Sequence, residues 1–229
     1  MLQSSISIPL NTGDTISGIL DLPENQTSGV SLGIAIAHGA ANDMHTSLIQ
    51  SVAKGLCSQG FACLRFNFPY REKQKKSVDP EHRLIHAWTQ AAETLKKKTR
   101  CKTFIAAGKS LGAWTAAQAS ASGHITPDGL IFLGYPLNKP NRNRPSWDAP
   151  LYTIDCPMLF FEGTQDPFCD LVLMKKVFQG ISAPRELVVI KNGDHSFNLP
   201  ESDPRQPDQI HDIIISRSTD WIRQSDLSL

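Results

Sequence analysis

One junction constrains this chain more than any other feature. The apolar run Thr103–Ala107 passes without a loop through Gly108-Lys109-Ser110-Leu111-Gly112 into the small-residue stretch Ala113–Ser122. The first reads as a strand and the last as a helix. A strand joined so abruptly to a helix must turn sharply, with the serine at the apex strained and its hydroxyl exposed. Strand and helix then approach closely two positions before and two after Ser110. Only small residues fit at those points, and both are glycine.

The rest of the chain repeats the strand-then-helix pattern. Ser4–Ile8 and Ile16–Leu22 are alternating runs around Asn11-Thr12-Gly13-Asp14, which predicts an N-terminal β-hairpin. Val30–Ala37, Phe61–Phe68, Thr103–Ala107, Leu130–Leu133, Met158–Glu162 and Leu187–Ile190 read as further strands. Between and after them, Ser47–Ser58, the segment opened by Asp79-Pro80, Ala113–Ser122, Leu171–Phe178 and Ile210–Ile222 carry helical spacing. Strands apolar on both faces and alternating with helices imply a mainly parallel sheet covered on both sides. No repeat or Ser/Gly-rich linker divides the 229 residues, so one α/β domain over residues 1–229 is expected. The basic clusters Lys96-Lys97-Lys98-Thr99-Arg100 and Arg71–Lys76 read as a helix C-terminal cap and a solvated loop.

A serine on such a turn is a candidate nucleophile. The Gly108-Lys109-Ser110 tripeptide also resembles the tail of a phosphate-binding loop, but that motif needs a glycine where Thr103 stands, and Phe104–Ala107 is strand-like. The nucleophile reading requires an acid and then a histidine further along the chain. Gly163-Thr164-Gln165-Asp166-Pro167 follows one predicted strand and Asn192-Gly193-Asp194-His195 follows the next, so Ser110, Asp166 and His195 are the predicted catalytic residues. All three can meet at one edge of the sheet, where open α/β sheets place ligands. Asp170 suits a helix cap better, and Asp194 points away from its neighbour His195. The His38-Gly39-Ala40-Ala41-Asn42 turn after the predicted strand Val30–Ala37 offers an oxyanion donor. The backbone N–H of Ala40 is nominated, with Ala41 as alternative, paired with that of Leu111; His38 is read as structural.

These motifs resemble those of the α/β-hydrolases, close to the small dienelactone-hydrolase-like serine hydrolases and particularly the testis-expressed hydrolase-like branch. The pieces that carry the likeness are His38-Gly39-Ala40, the run Gly60–Phe66, the Ser110 turn, Gly134-Tyr135-Pro136-Leu137, the Asp166 turn and Asp194-His195-Ser196. Their order implies an α/β-hydrolase fold with an antiparallel N-terminal hairpin and little cap. Lys109 departs from many esterases, which carry His, Tyr or Phe there. The segment Tyr135–Cys156, with prolines at 136, 140, 145 and 150, is expected to cap the site without building a helical lid. A shallow site preferring short or polar acyl groups follows. Arg142 and Arg144 read as solvated loop charges.

Composition narrows the function. A net charge of +1 gives no pull toward nucleic acid or anionic membrane. No apolar run is long enough to span a bilayer, and MLQSSISIPL lacks the features of a signal peptide. The five cysteines, at 57, 63, 101, 156 and 169, show no metal-site spacing and read as reduced thiols of a cytoplasmic protein. The expectation is an esterase or thioesterase acting on a small molecule without metal or organic cofactor. The rivals are a non-catalytic interaction protein with the same fold, and acyl transfer or lyase chemistry on the same residues. Oligomeric state is not legible.

Overall fold

The computed structural model describes residues 1–11, 13–24, 30–137 and 147–225. Strands β1 (Leu2–Pro9) and β2 (Thr15–Leu22) form the expected hairpin, with Leu2 opposite Leu22 and Pro9 opposite Thr15. There follow β3 (Leu32–Ala37), α1 (Ser47–Ser58), β4 (Ala62–Phe66), α2 (Pro69–Glu72), α3 (Glu81–Thr99), β5 (Thr103–Lys109) and α4 (Leu111–Ala121). The chain continues with β6 (Gly129–Leu133), β7 (Met158–Gly163), α5 (Leu171–Gly180), β8 (Arg185–Ile190) and α6 (Pro207–Gln224).

All eight strands join one sheet in the order β1-β2-β4-β3-β5-β6-β7-β8. β1 and β2 pair antiparallel, as do β2 and β4, and every other pair is parallel. After β3 the chain adds β4 on one side, then returns to lay β5 on the other. That reversal leaves a crevice beyond the C-terminal ends of β3 and β5, the usual ligand position in such sheets.

The period-two alternation of each strand feeds two cores. Ala35, Ala37, Ala106, Phe132 and Phe160 face one side, against Trp88 of α3, Ala113 and Ala117 of α4 and Met174 of α5. Ile34, Ile36, Ile105, Ala107 and Phe161 face the other, against Leu48 and Val52 of α1 and Ile214 and Ile222 of α6. Both faces are apolar, which is why these strands read as continuous hydrophobic runs.

Several boundaries differ from the sequence reading, and two of them bear on the site. The expected strand Phe61–Phe68 ends at Phe66, because Pro69 opens α2 and Phe68 adopts extended backbone before it. Asn67 turns its side chain to accept the backbone N–H of Met44 at 2.9 Å. The Thr103–Ala107 strand instead runs two residues further, to Lys109, carrying the sheet up to the Ser110 turn. The Lys96–Lys98 cluster does close α3, with Arg100 in the left-handed region beyond it. Only the ends of the Tyr135–Cys156 segment are described: a short 3-10 turn at Ala149–Tyr152 is present, and Arg142 and Arg144 lie outside the described residues.

Candidate active site

Ser110 stands between β5 and α4 with φ 52° and ψ −111°, a strained conformation for a non-glycine residue. Its backbone N–H donates to Leu133 O at 3.1 Å. The flanking glycines are sterically required. A β-carbon on Gly108 would lie 2.4 Å from the Gly112 carbonyl carbon, and one on Gly112 would lie 2.6 Å from Ala37 O. Leu111 is the first residue of α4, so its N–H has no partner within the helix and faces outward.

The turns after β7 and β8 are locked together backbone to backbone. Thr164 N donates to Ile190 O at 3.1 Å and Gln165 N to Gly193 O at 2.9 Å. Gly163 permits this approach, since a β-carbon there would lie 2.1 Å from Gly193 O. Asp166 and His195 are thereby brought face to face. His195 Nδ1 lies 2.7 Å from Asp166 Oδ2, and His195 Nε2 lies 2.8 Å from Ser110 Oγ. A carboxylate only accepts, so Nδ1 carries the proton and Nε2 is left to accept from the Ser110 hydroxyl. Asp166 is fixed in turn by the Phe168 N–H, which donates to its other oxygen at 2.7 Å. The Phe168 ring packs 4.7 Å from the imidazole, centroid to centroid.

The competing carboxylates are engaged elsewhere. Asp170 caps α5 by accepting from Val172 N at 2.7 Å and Leu173 N at 3.4 Å. Asp194 accepts from Ser196 N at 2.7 Å, Asn198 N at 2.8 Å and the Asn198 side-chain amide at 3.1 Å. It shapes the His195 loop without touching the ring.

The turn after β3 is held from beneath. His38 is buried; its Nδ1 donates to Gly39 O at 2.8 Å and its Nε2 accepts from Phe68 N at 3.1 Å. Burial lowers its pKa to about 4, so it is a neutral structural ring. The Tyr70 hydroxyl donates to Ala40 O at 2.9 Å, which ties that strand-end loop to α2. Burial raises the Tyr70 pKa, keeping the phenol protonated. Ala40, Ala41 and Leu111 line the same cavity as Ser110 and His195.

That cavity measures about 460 Å³, with Val78, Pro136, Trp147 and Phe168 among its walls. Val78, Leu111 and Trp147 also border a second lobe of about 450 Å³, backed by Leu84 and Trp114. The sequence reading expected little apolar surface; the structure instead provides an apolar cleft, built from side chains distant from one another in the sequence.

Two supports escaped the sequence reading because their partners are distant in the chain. Tyr70 sits in what read as a loop, and Phe168 gave no signal beyond its position two residues after Asp166. Among the described residues, no group of three or more His, Cys, Asp or Glu is placed to hold a metal, and no helix is long and apolar enough to cross a membrane. All five cysteines are free thiols.

Comparison with known proteins places this architecture. The family model for the alpha/beta hydrolase domain matches residues 31–223. Among solved structures, an α/β serine hydrolase without lid from Xanthomonas campestris superposes with a TM-score of 0.74 at 18% identity, covering 99% of this chain and 96% of that one. A dienelactone hydrolase from Anabaena variabilis gives 0.75 at 18% identity, with 97% of each chain covered. The ferulic-acid-bound Est1E of Butyrivibrio proteoclasticus gives 0.75 at 17% identity, covering 96% of this chain and all 100% of that one. At these identities the structural likeness speaks for the fold, and the family match speaks for descent. With a match over most of its length and the sheet, crevice and strand-end turns described above, the chain belongs to the α/β-hydrolase family.

Proposed function

We propose that the protein is a serine hydrolase that cleaves small carboxylic esters or thioesters through an acyl-enzyme. The observation that carries this reading is the unbroken hydrogen-bond chain Asp166–His195–Ser110, with links of 2.7 and 2.8 Å, at the floor of an accessible cleft. In this reading the Ser110 oxygen attacks the substrate carbonyl carbon as His195 Nε2 takes the hydroxyl proton. The resulting imidazolium is stabilised by the Asp166 carboxylate. The C–O⁻ of the tetrahedral intermediate accepts from the N–H groups of Leu111 and Ala40, and one such donor is worth about 3–4 kcal/mol. Collapse expels the alcohol or thiol, which receives the proton from His195. A water activated by the same imidazole then releases the acid and restores Ser110.

No cofactor enters any of these steps. The strained turn supports an enzyme rather than a binding scaffold, since strain of about 1–3 kcal/mol persists where the surrounding structure and function demand it. Acyl transfer differs only in the acceptor, and water competition in a product assay separates the two. Five free thiols suit a reducing, cytoplasmic compartment.

The test is acyl-enzyme trapping. Acid quench of a reaction with 4-nitrophenyl acetate, followed by peptide mass spectrometry, is expected to find the acetyl group on Ser110. Release of 4-nitrophenol with no acyl adduct, or with the adduct on another residue, would overturn the reading.

A further inference from the structure

Lys109 stands next to the nucleophile, yet the reaction above gives it no part. It is the last residue of β5 and lies opposite Leu133 of β6 in the sheet. Directly after Leu133 comes Gly134, whose φ of 68° suits glycine and whose missing side chain leaves room for the lysine head. A β-carbon on Gly134 would lie 3.0 Å from Lys109 Nζ, 3.2 Å from His195 O and 3.4 Å from His195 Nδ1. Both nitrogens therefore lie within 3.4 Å of one point, and the ammonium stands beside the ring nitrogen that faces Asp166. Nζ also lies 5.8 Å from the Phe197 ring centre, so the lysine runs beneath the His195 loop.

The residue is only 5% exposed, and a poorly solvated charge at this range is felt by its neighbours. Among the described residues no hydrogen bond or ion pair takes the Lys109 ammonium. Burial lowers its pKa to about 8, so it remains mostly charged at neutral pH.

The groups around it are otherwise neutral or engaged. From β7, Glu162 accepts from Tyr135 N at 2.6 Å, and burial raises its pKa far enough to keep it protonated. Burial likewise holds Cys169, just before α5, as a thiol. On α6, burial lowers the pKa of His211 and favours the neutral ring. α1 and α4 approach with Ser47, Leu48 and Leu111, none of which is charged. Asp194 is committed to the N–H groups of Ser196 and Asn198. Two opposed charges thus act on one imidazole: Asp166 favours its protonated form, and Lys109 opposes it.

We infer that Lys109 is a positioning residue of the reaction that acts through His195: its ammonium offsets the Asp166 charge at the imidazole and keeps the ring free to take the Ser110 proton in weakly acidic solution. The kinetic consequence rests on the hydrolase reading, while the electrostatic action is testable without turnover.

The charge is removed in Lys109→Met and Lys109→Gln and kept in Lys109→Arg. The first measurement is made in the Ser110→Ala background, following the His195 ring nitrogens by NMR across the acid and neutral range. With the opposing charge gone the ring protonates more readily, so both neutral variants are expected to move the titration midpoint upward by about one pH unit. Lys109→Arg is expected to keep the midpoint of its parent. A midpoint that stays in place in the neutral variants, or moves equally in Lys109→Arg, would overturn the inference. The second measurement follows kcat/KM for 4-nitrophenyl acetate against pH with Ser110 intact. The acid limb is expected to move upward in Lys109→Met and Lys109→Gln and to return toward its original position in Lys109→Arg. A residue that only packed beneath the loop would lower turnover at every pH alike and leave the limb in place, and that result would contradict the inference. A moved NMR midpoint with no turnover in any of the proteins would keep the action of Lys109 on His195 and remove the hydrolase reading. Turnover through Ser110 with an unmoved midpoint and limb would do the reverse.

Discussion

On the antiparallel side of the sheet, Asp21 of β2 and Arg65 of β4 approach to 3.5 Å with side chains 0% and 2% exposed. On the parallel side, Asp166 and His195 meet at 2.7 Å, and the histidine keeps 18% of its side chain open. Both are acid–base pairs set into an apolar core. The first is sealed: Asp21 Oδ1 accepts from Gln3 at 2.6 Å, while Asp21 Oδ2 and Arg65 Nε and Nη1 have no hydrogen-bond partner. The second passes its last acceptor, His195 Nε2, on to a hydroxyl in a cavity. A sealed pair can only hold strands together, whereas a pair with one open end can move a proton. Accessibility at one atom separates structure from chemistry here, more than the charge of the residues involved.

The sharpest way to break this distinction is to change each pair by a single group. Asp166→Asn removes the charge and favours the wrong imidazole tautomer, so kcat on a small ester is expected to fall by about 10⁴-fold, with the thermal midpoint little changed. Steady-state assay beside calorimetry checks both halves. Arg65→Ala is expected to act oppositely. It strands Asp21 in the core at a cost of about 3–5 kcal/mol in urea unfolding, while the folded fraction retains its kcat. Replacing both members by Asp21→Leu and Arg65→Met should restore most of that loss, as expected for a pair whose desolvation offsets its attraction.

A buried histidine extends the comparison to pH. His38 is closed in and neutral, with a folded pKa near 4 against an ordinary value of 6.5. The unfolded chain therefore binds more protons in that window, and stability declines as pH falls from about 6.5 to about 4, by roughly 3 kcal/mol. His38→Gln, which preserves an acceptor and a donor, should flatten that part of the stability curve in denaturant melts at stepped pH. The smallest effect is expected at Asp170, whose carboxylate only caps α5. Asp170→Ala should cost about 1 kcal/mol of stability and leave ester turnover within twofold of the parent protein. A large fall in turnover with Asp170→Ala, and none with Asp166→Asn, would exchange the two assignments.

Much of this arrangement was legible in the sequence, for identifiable reasons. Strands apolar on both faces announce a parallel sheet, and the glycines at 108 and 112 announce a close strand–helix approach that the structure shows at both positions. Ser110, Asp166 and His195 each follow a different strand directly, so local order alone suggests a common edge, and the structure brings their side chains within hydrogen-bonding distance. What stayed hidden depends on contacts across the chain. The α2 turn was obscured because Phe66, Phe68, Tyr70 and Trp88 form one aromatic cluster only after folding. The Tyr70 hold on Ala40 and the packing of Phe168 on His195 follow from that kind of tertiary placement. Lys109 was visible as an unusual residue in its turn, but the alternation of β5 sends its side chain beneath the His195 loop, toward Gly134 and Phe197, which no local pattern marks.

The most direct measurement of the central claim is active-site labelling. The native protein, Ser110→Ala and His195→Ala are each treated with a fluorophosphonate probe, and the labelled peptide is identified by mass spectrometry. The expected result is a single adduct on Ser110 in the native protein, none on Ser110→Ala and slow labelling of His195→Ala. Equal labelling of native protein and Ser110→Ala, or an adduct on any other serine, would contradict the assignment of Ser110 as the nucleophile.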